Sequence, residues 1–168
     1  PDKQLYVYQI LPSGKPLIDS VRTDVSGNFS VSILVEKAGY FTLMLDEKNE
    51  ITLVISPGEK ITLNADGNNL KNTYKIEGSD DSELYRDYEK FTSHNLEKVD
   101  SLSRIFAESR SDPGFIAIKT QLDSAYLNIF NDQKTEVISF ISKHLNSLAS
   151  LLVITHNFGP LALLTEQT

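Results

Sequence analysis

The period of the hydrophobic pattern changes once along this chain, at Gly78. Before that residue apolar side chains alternate with polar ones; after it they recur every three or four positions. Alternation puts successive side chains on opposite faces of a strand, whereas the longer step lays them along one stripe of a helix. A chain patterned this way builds its sheet first and its helices second.

The β part shows seven short apolar runs, at residues 5–11, 17–23, 29–36, 40–45, 51–55, 61–65 and 74–76. Turn chemistry separates them, as in Pro12-Ser13-Gly14, Ser56-Pro57-Gly58-Glu59 and Asp66-Gly67-Asn68-Asn69. The third run is the clearest: Phe29, Val31, Ile33 and Val35 alternate with Ser30, Ser32, Leu34 and Glu36. One buried face and one wet face follow from that period. No linker is long enough for a helical crossover, so the strands are expected to be antiparallel.

Past Gly78, Asp80-Asp81-Ser82-Glu83 offers an N-cap acid at Asp80 and a glutamate three positions on. Leu84, Tyr88, Phe91, Asn95, Val99, Leu102 and Phe106 then form one amphipathic stripe, with Asn95 its only polar member. Asp112-Pro113 restarts the pattern as N-cap and first helical residue. The next stripe runs through Phe115, Lys119, Leu122, Tyr126, Ile129, Gln133, Val137, Phe140 and His144. Asn131-Asp132 is the place where this helix is expected to kink or break. A third helix is predicted from about Asn146-Ser147 to a stop before Gly159-Pro160.

Strands followed by helices define an α+β chain. The expected architecture is an antiparallel β-sandwich or open barrel of about seven strands at 1–79, then two to three long helices at 80–168. A length of 168 residues suffices for a core without staples. The helical part carries most of the net charge of −7, and a sequence pI near 4.9 argues against a nucleic-acid partner. Nothing approaches 18 consecutive apolar residues.

The chain contains no cysteine. Thiol nucleophiles, redox dithiols and thiolate metal sites are therefore outside its own chemistry. His94, His144 and His156 are too dispersed to suggest a metal site, and no metal or cofactor is expected. No Gly-x-Ser-x-Gly elbow is present, and the glycines stand singly at element boundaries, so neither a hydrolase site nor a phosphate cradle emerges. Asp80 and Asp81 fit a helix start, and Asp24 and Asp66 fit turns. No catalytic, cofactor-binding or metal residue is assigned, and the ligand-binding residues stay unknown. One aromatic candidate exists: Tyr6, Tyr8 and Tyr40 could form a platform on the sheet that stacks on a ligand, Tyr6 and Tyr8 sharing a strand face, although ordinary β-propensity also puts tyrosines there.

Four strings in order carry a resemblance: Asp19-Ser20-Val21-Arg22-Thr23-Asp24-Val25-Ser26-Gly27-Asn28-Phe29, Ile55-Ser56-Pro57-Gly58-Glu59-Lys60-Ile61-Thr62-Leu63, Ile76-Glu77-Gly78-Ser79 and Asn146-Ser147-Leu148-Ala149-Ser150-Leu151. Together, from about Leu5 to Pro160, they resemble the N-terminal region of Gram-negative envelope thiol–disulfide oxidoreductases related to the thiol-specific antioxidant family. In those proteins a β-rich domain of unknown function and a helical segment precede a thioredoxin-like domain. The Cys-x-x-Cys domain is missing from this sequence, so no catalytic residue carries over.

The resemblance implies an exported parent in the periplasm or cell envelope, with a possible lipid anchor. Its own downstream thioredoxin-like domain would be the partner of this module, and the helices could pair two copies. The opening Pro1-Asp2-Lys3-Gln4, without an initiator methionine, reads as a processed or excised segment of such a parent. The expected function is a non-catalytic accessory and interaction module. The alternative is an extracellular glycan- or peptide-binding β module with no redox connection.

Overall fold

The computed structural model describes residues 2–158 and 161–162. The chain is α+β, and it divides into two compact units, Pro1–Arg86 and Asp87–Thr168. The change of period falls at Gly78, yet the first two turns of the following helix go with the β unit.

In the first unit, β1 (Gln4–Ile10), β2 (Leu17–Arg22), β3 (Gly39–Asp46) and β4 (Asn49–Ile55) form one antiparallel sheet in the order β2-β1-β3-β4. β5 (Thr62–Asn64) and β6 (Lys75–Glu77) form a separate two-stranded ladder, with the short α1 (Leu70–Thr73) between them. Alternation sends Leu5, Val7, Phe41, Leu43, Ile51 and Leu53 to one face of the large sheet. Leu70, Tyr74 and Ile76 from the α1–β6 region complete that buried cluster. The core thus lies between the four-stranded sheet and a thinner layer made by the ribbon and α1. Burial of these large side chains, at roughly 1.5–3 kcal/mol each, is the main force holding the layers together.

The third predicted strand is a correction. Residues 29–35 belong to no ladder, although their side chains behave as the pattern requires. Phe29, Val31, Ile33 and Val35 are half-buried against the core, and Ser30, Ser32 and Leu34 are exposed. Alternation dictates which side chains find the core; it does not guarantee that a neighbouring backbone takes up the hydrogen bonds. The other six predicted strands are present within a residue or two at their ends.

α2 (Asp80–Glu108) starts one residue away from the predicted cap. Ser79, not Asp80, is the N-cap: its C=O accepts from Glu83 N–H at 2.9 Å and its hydroxyl accepts from Ser82 N–H at 3.4 Å. The Glu83 carboxylate reaches back to Gly78 N–H at 2.9 Å, which completes a capping box shifted by one position. The N-terminal turns also guard an edge. Strand β4 ends the sheet, and at Val54 its outward N–H donates to Ser82 Oγ while its C=O accepts from Ser79 Oγ, each at 2.8 Å. Two hydroxyls stand in for a missing strand neighbour.

The second unit holds the rest of α2, then α3 (Phe115–Lys143), α4 (Leu148–Thr155) and a minimal ladder of β7 (Asn157–Phe158) with β8 (Leu161–Ala162). α3 begins at Phe115 with Gly114 as N-cap, two residues after the predicted cap. Asp112 instead makes a turn, its carboxylate accepting from Gly114 N–H at 2.6 Å. No break occurs at Asn131-Asp132, because Ile129, Gln133, Val137 and Phe140 bury one continuous face across it. α4 starts where the sequence indicates, with Ser147 capping Ala149 N–H at 3.1 Å. α4 ends at Thr155, with His156 as C-cap, which is before Gly159-Pro160 as expected; those two residues lie outside the described ones. No helix among the described residues is long and apolar enough to cross a membrane.

Candidate functional site

The outer face of the large sheet carries the tyrosine pair. β1 runs with Tyr6 and Tyr8 on the side opposite Leu5 and Val7, and the register places Ser20, Tyr6, Met44 and Glu50 in one cross-strand row. The two rings are half-buried, 6.4 Å apart and inclined by 35°. Lys15, from the β1–β2 connection, lies 5.5 Å from the Tyr8 ring and pairs with Glu50 Oε2 at 2.9 Å. The result is an aromatic strip flanked by one cation and one anion. It can stack against a flat ligand and offer hydrogen bonds at its rim. It holds no nucleophile with a base and no converging acids. Toward β4 the same face is closed, with Thr42 and Val54 buried. Tyr40 lies at this end, and desolvation, then the Asp81 charge, raises its phenol above the ordinary value.

The histidines are dispersed, as their spacing indicates. His94 is exposed on α2. His144 ends α3 and stacks near Phe140, with ring centres 4.9 Å apart. His156 ends α4, and its Nδ1 lies 3.0 Å from the Tyr88 hydroxyl. Among the described residues no group of three or more metal-binding side chains converges. Asp24 and Asp46 are turn residues that accept hydrogen bonds from the chain just after them.

Sequence reasoning missed a buried polar network in the helical unit. Gln133 on α3 donates to Thr92 Oγ1 at 2.8 Å and accepts from Asn95 Nδ2 at 3.0 Å. It lies 3.4 Å from the Tyr88 hydroxyl, and Lys98 Nζ donates to Asn95 Oδ1 at 3.2 Å. Burial, and secondarily the Glu136 charge, pushes the Tyr88 phenol above its ordinary value, against the pull of its bonds to Thr92 and Gln133. Every buried side-chain polar atom among the described residues finds a partner. Asn95 and Gln133 were visible as polar members of two apolar stripes. That they answer each other is a fact of tertiary register. The network fixes how α2 and α3 mesh and supplies no reactive group.

These features define a class: an α+β chain made of a β module with appended helices, cysteine-free, with a half-buried tyrosine pair on the outer face of its large sheet. The family described as "Domain of unknown function (DUF4369)" matches residues 1–85. The chain belongs to that family. The matched stretch nearly coincides with the first compact unit, so Ser79, Ser82 and the start of α2 are inside it. Comparison with curated proteins and with solved structures returns no match.

Proposed function

We propose that this chain is a non-catalytic accessory and interaction module of an exported thiol–disulfide oxidoreductase whose thioredoxin-like domain lies outside it. The order of the four resembling strings carries the reading. They fall on the β2 segment and its turn, the β4–β5 turn, the step into α2, and the start of α4. A cysteine-free module suits that role, since it offers no stray thiol to a neighbouring dithiol. Under this reading the parent works in the periplasm or cell envelope, with a lipid anchor, and the module's partner is its own redox domain. Ile116, Leu127 and Ile138, exposed at intervals of eleven residues along α3, offer a contact line for a second copy.

The test compares the parent protein with a form lacking these residues. Reduction of a protein disulfide should slow, or its substrate range change, when the module is removed. Unchanged rate and range would sink the accessory role, and a parent without a Cys-x-x-Cys domain would remove the redox context. Light scattering that gives the monomer mass at all concentrations would rule out pairing through α3.

A second reading rests on the Tyr6–Tyr8 strip with Lys15 and Glu50: binding of a glycan or an extended peptide. A glycan and peptide screen should then give hits that Tyr8→Ala abolishes. No hit above background rejects this alternative.

A further inference from the structure

The large sheet is open at β2, and the residues that match its edge are already in the chain. From Phe29 to Val35 the side chains alternate between half-buried and exposed, as in a strand, and none of the backbone N–H or C=O groups takes part in a hydrogen bond with another described residue. The turn leading into it is well set. Asp24 N–H donates to Asn28 C=O at 2.9 Å, and the Asp24 carboxylate accepts from Ser26 and Asn28 N–H.

Counted outward from the Asp24–Asn28 pair, an antiparallel hairpin sets Thr23 against Phe29, Arg22 against Ser30, Val21 against Val31, Ser20 against Ser32 and Asp19 against Ile33. This register keeps faces together: Val21 and Val31 both pack on the core, while Ser20 and Ser32 are both exposed. Hydrogen-bond directions agree as well. Thr23 N–H donates to Lys3 C=O at 2.9 Å, so Thr23, Val21 and Asp19 turn their backbone groups to β1. Ser20 and Arg22 are left pointing at the open edge. The shift in the β1–β2 register beyond Asp19 sets the limit of such a ladder.

One contact competes with closure. Ser20 N–H donates to Asp19 Oδ1 at 2.7 Å, so the central donor of the edge is already occupied. Closing would transfer that N–H to Ser32 C=O and set the carboxylate opposite Ile33 on the core-facing side, where a charge is disfavoured.

We propose that Phe29–Val35 is a hinged edge strand that closes onto β2 in this register, and that the Asp19 carboxylate is the latch that holds it open. Closure adds a fifth strand to the sheet. The inference is independent of the redox and ligand readings.

The test uses the full chain and hydrogen exchange read by NMR. Asp19→Ala should slow exchange about tenfold at Ser20, Arg22, Ser30 and Ser32, as expected for loss of one competing hydrogen bond. Val31 and Ile33, whose N–H groups would face away from β2, should be unaffected. Asp19→Asn keeps an acceptor for Ser20 N–H but removes the charge, so its exchange should fall between that of the unsubstituted chain and that of Asp19→Ala. The cysteine-free background permits a second measurement. Ser20→Cys with Ser32→Cys should oxidise to an intramolecular disulfide, because directly opposed Cα atoms lie about 5.5 Å apart. Adding Asp19→Ala should accelerate it, and Ser20→Cys with Ser30→Cys, out of register, should lag. Equal exchange at alternate amides, or cross-linking no faster in register than out of it, overturns the proposal.

Discussion

Gly78 marks the change of pattern because no other residue fits there. Its φ is +93°, and a Cβ would lie 2.2 Å from the carbonyl oxygen of Lys60. The left-handed backbone turns the chain from β6 into the cap of α2, and the close approach lets it pass the loop before β5. Gly58 shares the positive φ, at +81°, but has open space around it. Gly58→Ala should therefore cost only about 1–2 kcal/mol, the backbone penalty alone. Gly78→Ala adds a backbone collision and should cost clearly more than that. Urea unfolding of the two variants measures both, and equal losses would mean that the Lys60 contact relaxes freely.

Turn aspartates act at the same scale. The Asn28 side chain first, then its backbone N–H, holds the Asp24 carboxyl below the usual range. The Asn49 side chain, then Lys48 N–H, does the same for Asp46. A carboxyl depressed in the folded state contributes stability that is present above its unfolded pKa and lost as pH falls through the folded value. Acid titration should therefore weaken the β unit below the ordinary carboxylate range. Asp24→Asn with Asp46→Asn should flatten that acid limb and lower the neutral-pH plateau, because the stability carried by the two ionised carboxylates is gone at every pH. An unchanged limb would assign acid sensitivity to other carboxyls.

At the scale of elements, the α2–α3 pair depends on Gln133, which is fully buried and serves Thr92 and Asn95 together. Gln133→Leu should cost about 2–4 kcal/mol, because the Asn95 amide is left without its buried acceptor. Adding Asn95→Leu should recover much of that loss, since two apolar groups replace two polar ones. A double-mutant cycle in denaturant checks the coupling, and strictly additive losses would show that the two amides are independent. This network also shows where sequence reading stopped. Asn95 and Gln133 stood out as polar residues on apolar stripes, because helical period is local. Their pairing depends on which turn of α3 meets which turn of α2, and spacing within either helix says nothing of that. Phe29–Val35 is the converse case: its side-chain pattern was legible, while its backbone partner is decided across the hairpin by Asp19. Helix starts shifted by one or two residues for a similar reason. Several acids and hydroxyls near Gly78 and Pro113 could cap, and backbone geometry chose Ser79 and Gly114.

For the whole molecule the main question is where the β module ends. The period of the sequence places the end at 79, whereas compactness places it after Arg86. The reason is specific. Ser82 satisfies the outer edge of β4 at Val54. Arg86, itself buried, donates from Nε to Tyr74 C=O at 3.0 Å and from Nη2 to Asn72 C=O at 3.3 Å, and its guanidinium lies 4.2 Å from the Tyr74 ring. A fragment ending at residue 79 loses both. It leaves a buried strand N–H and two carbonyls at the end of α1 without their partners. A fragment ending at residue 90 keeps them and adds a turn to protect the helix end. The shorter fragment should be less stable by roughly 2–5 kcal/mol, the cost of stranding two such sets of polar groups. Chemical unfolding of the two fragments, followed by tyrosine fluorescence, gives the difference directly. Equal midpoints would mean that the first turns of α2 merely lie beside the sheet. A large gap would make residues 80–86 part of the β module, in keeping with a family match that runs to residue 85.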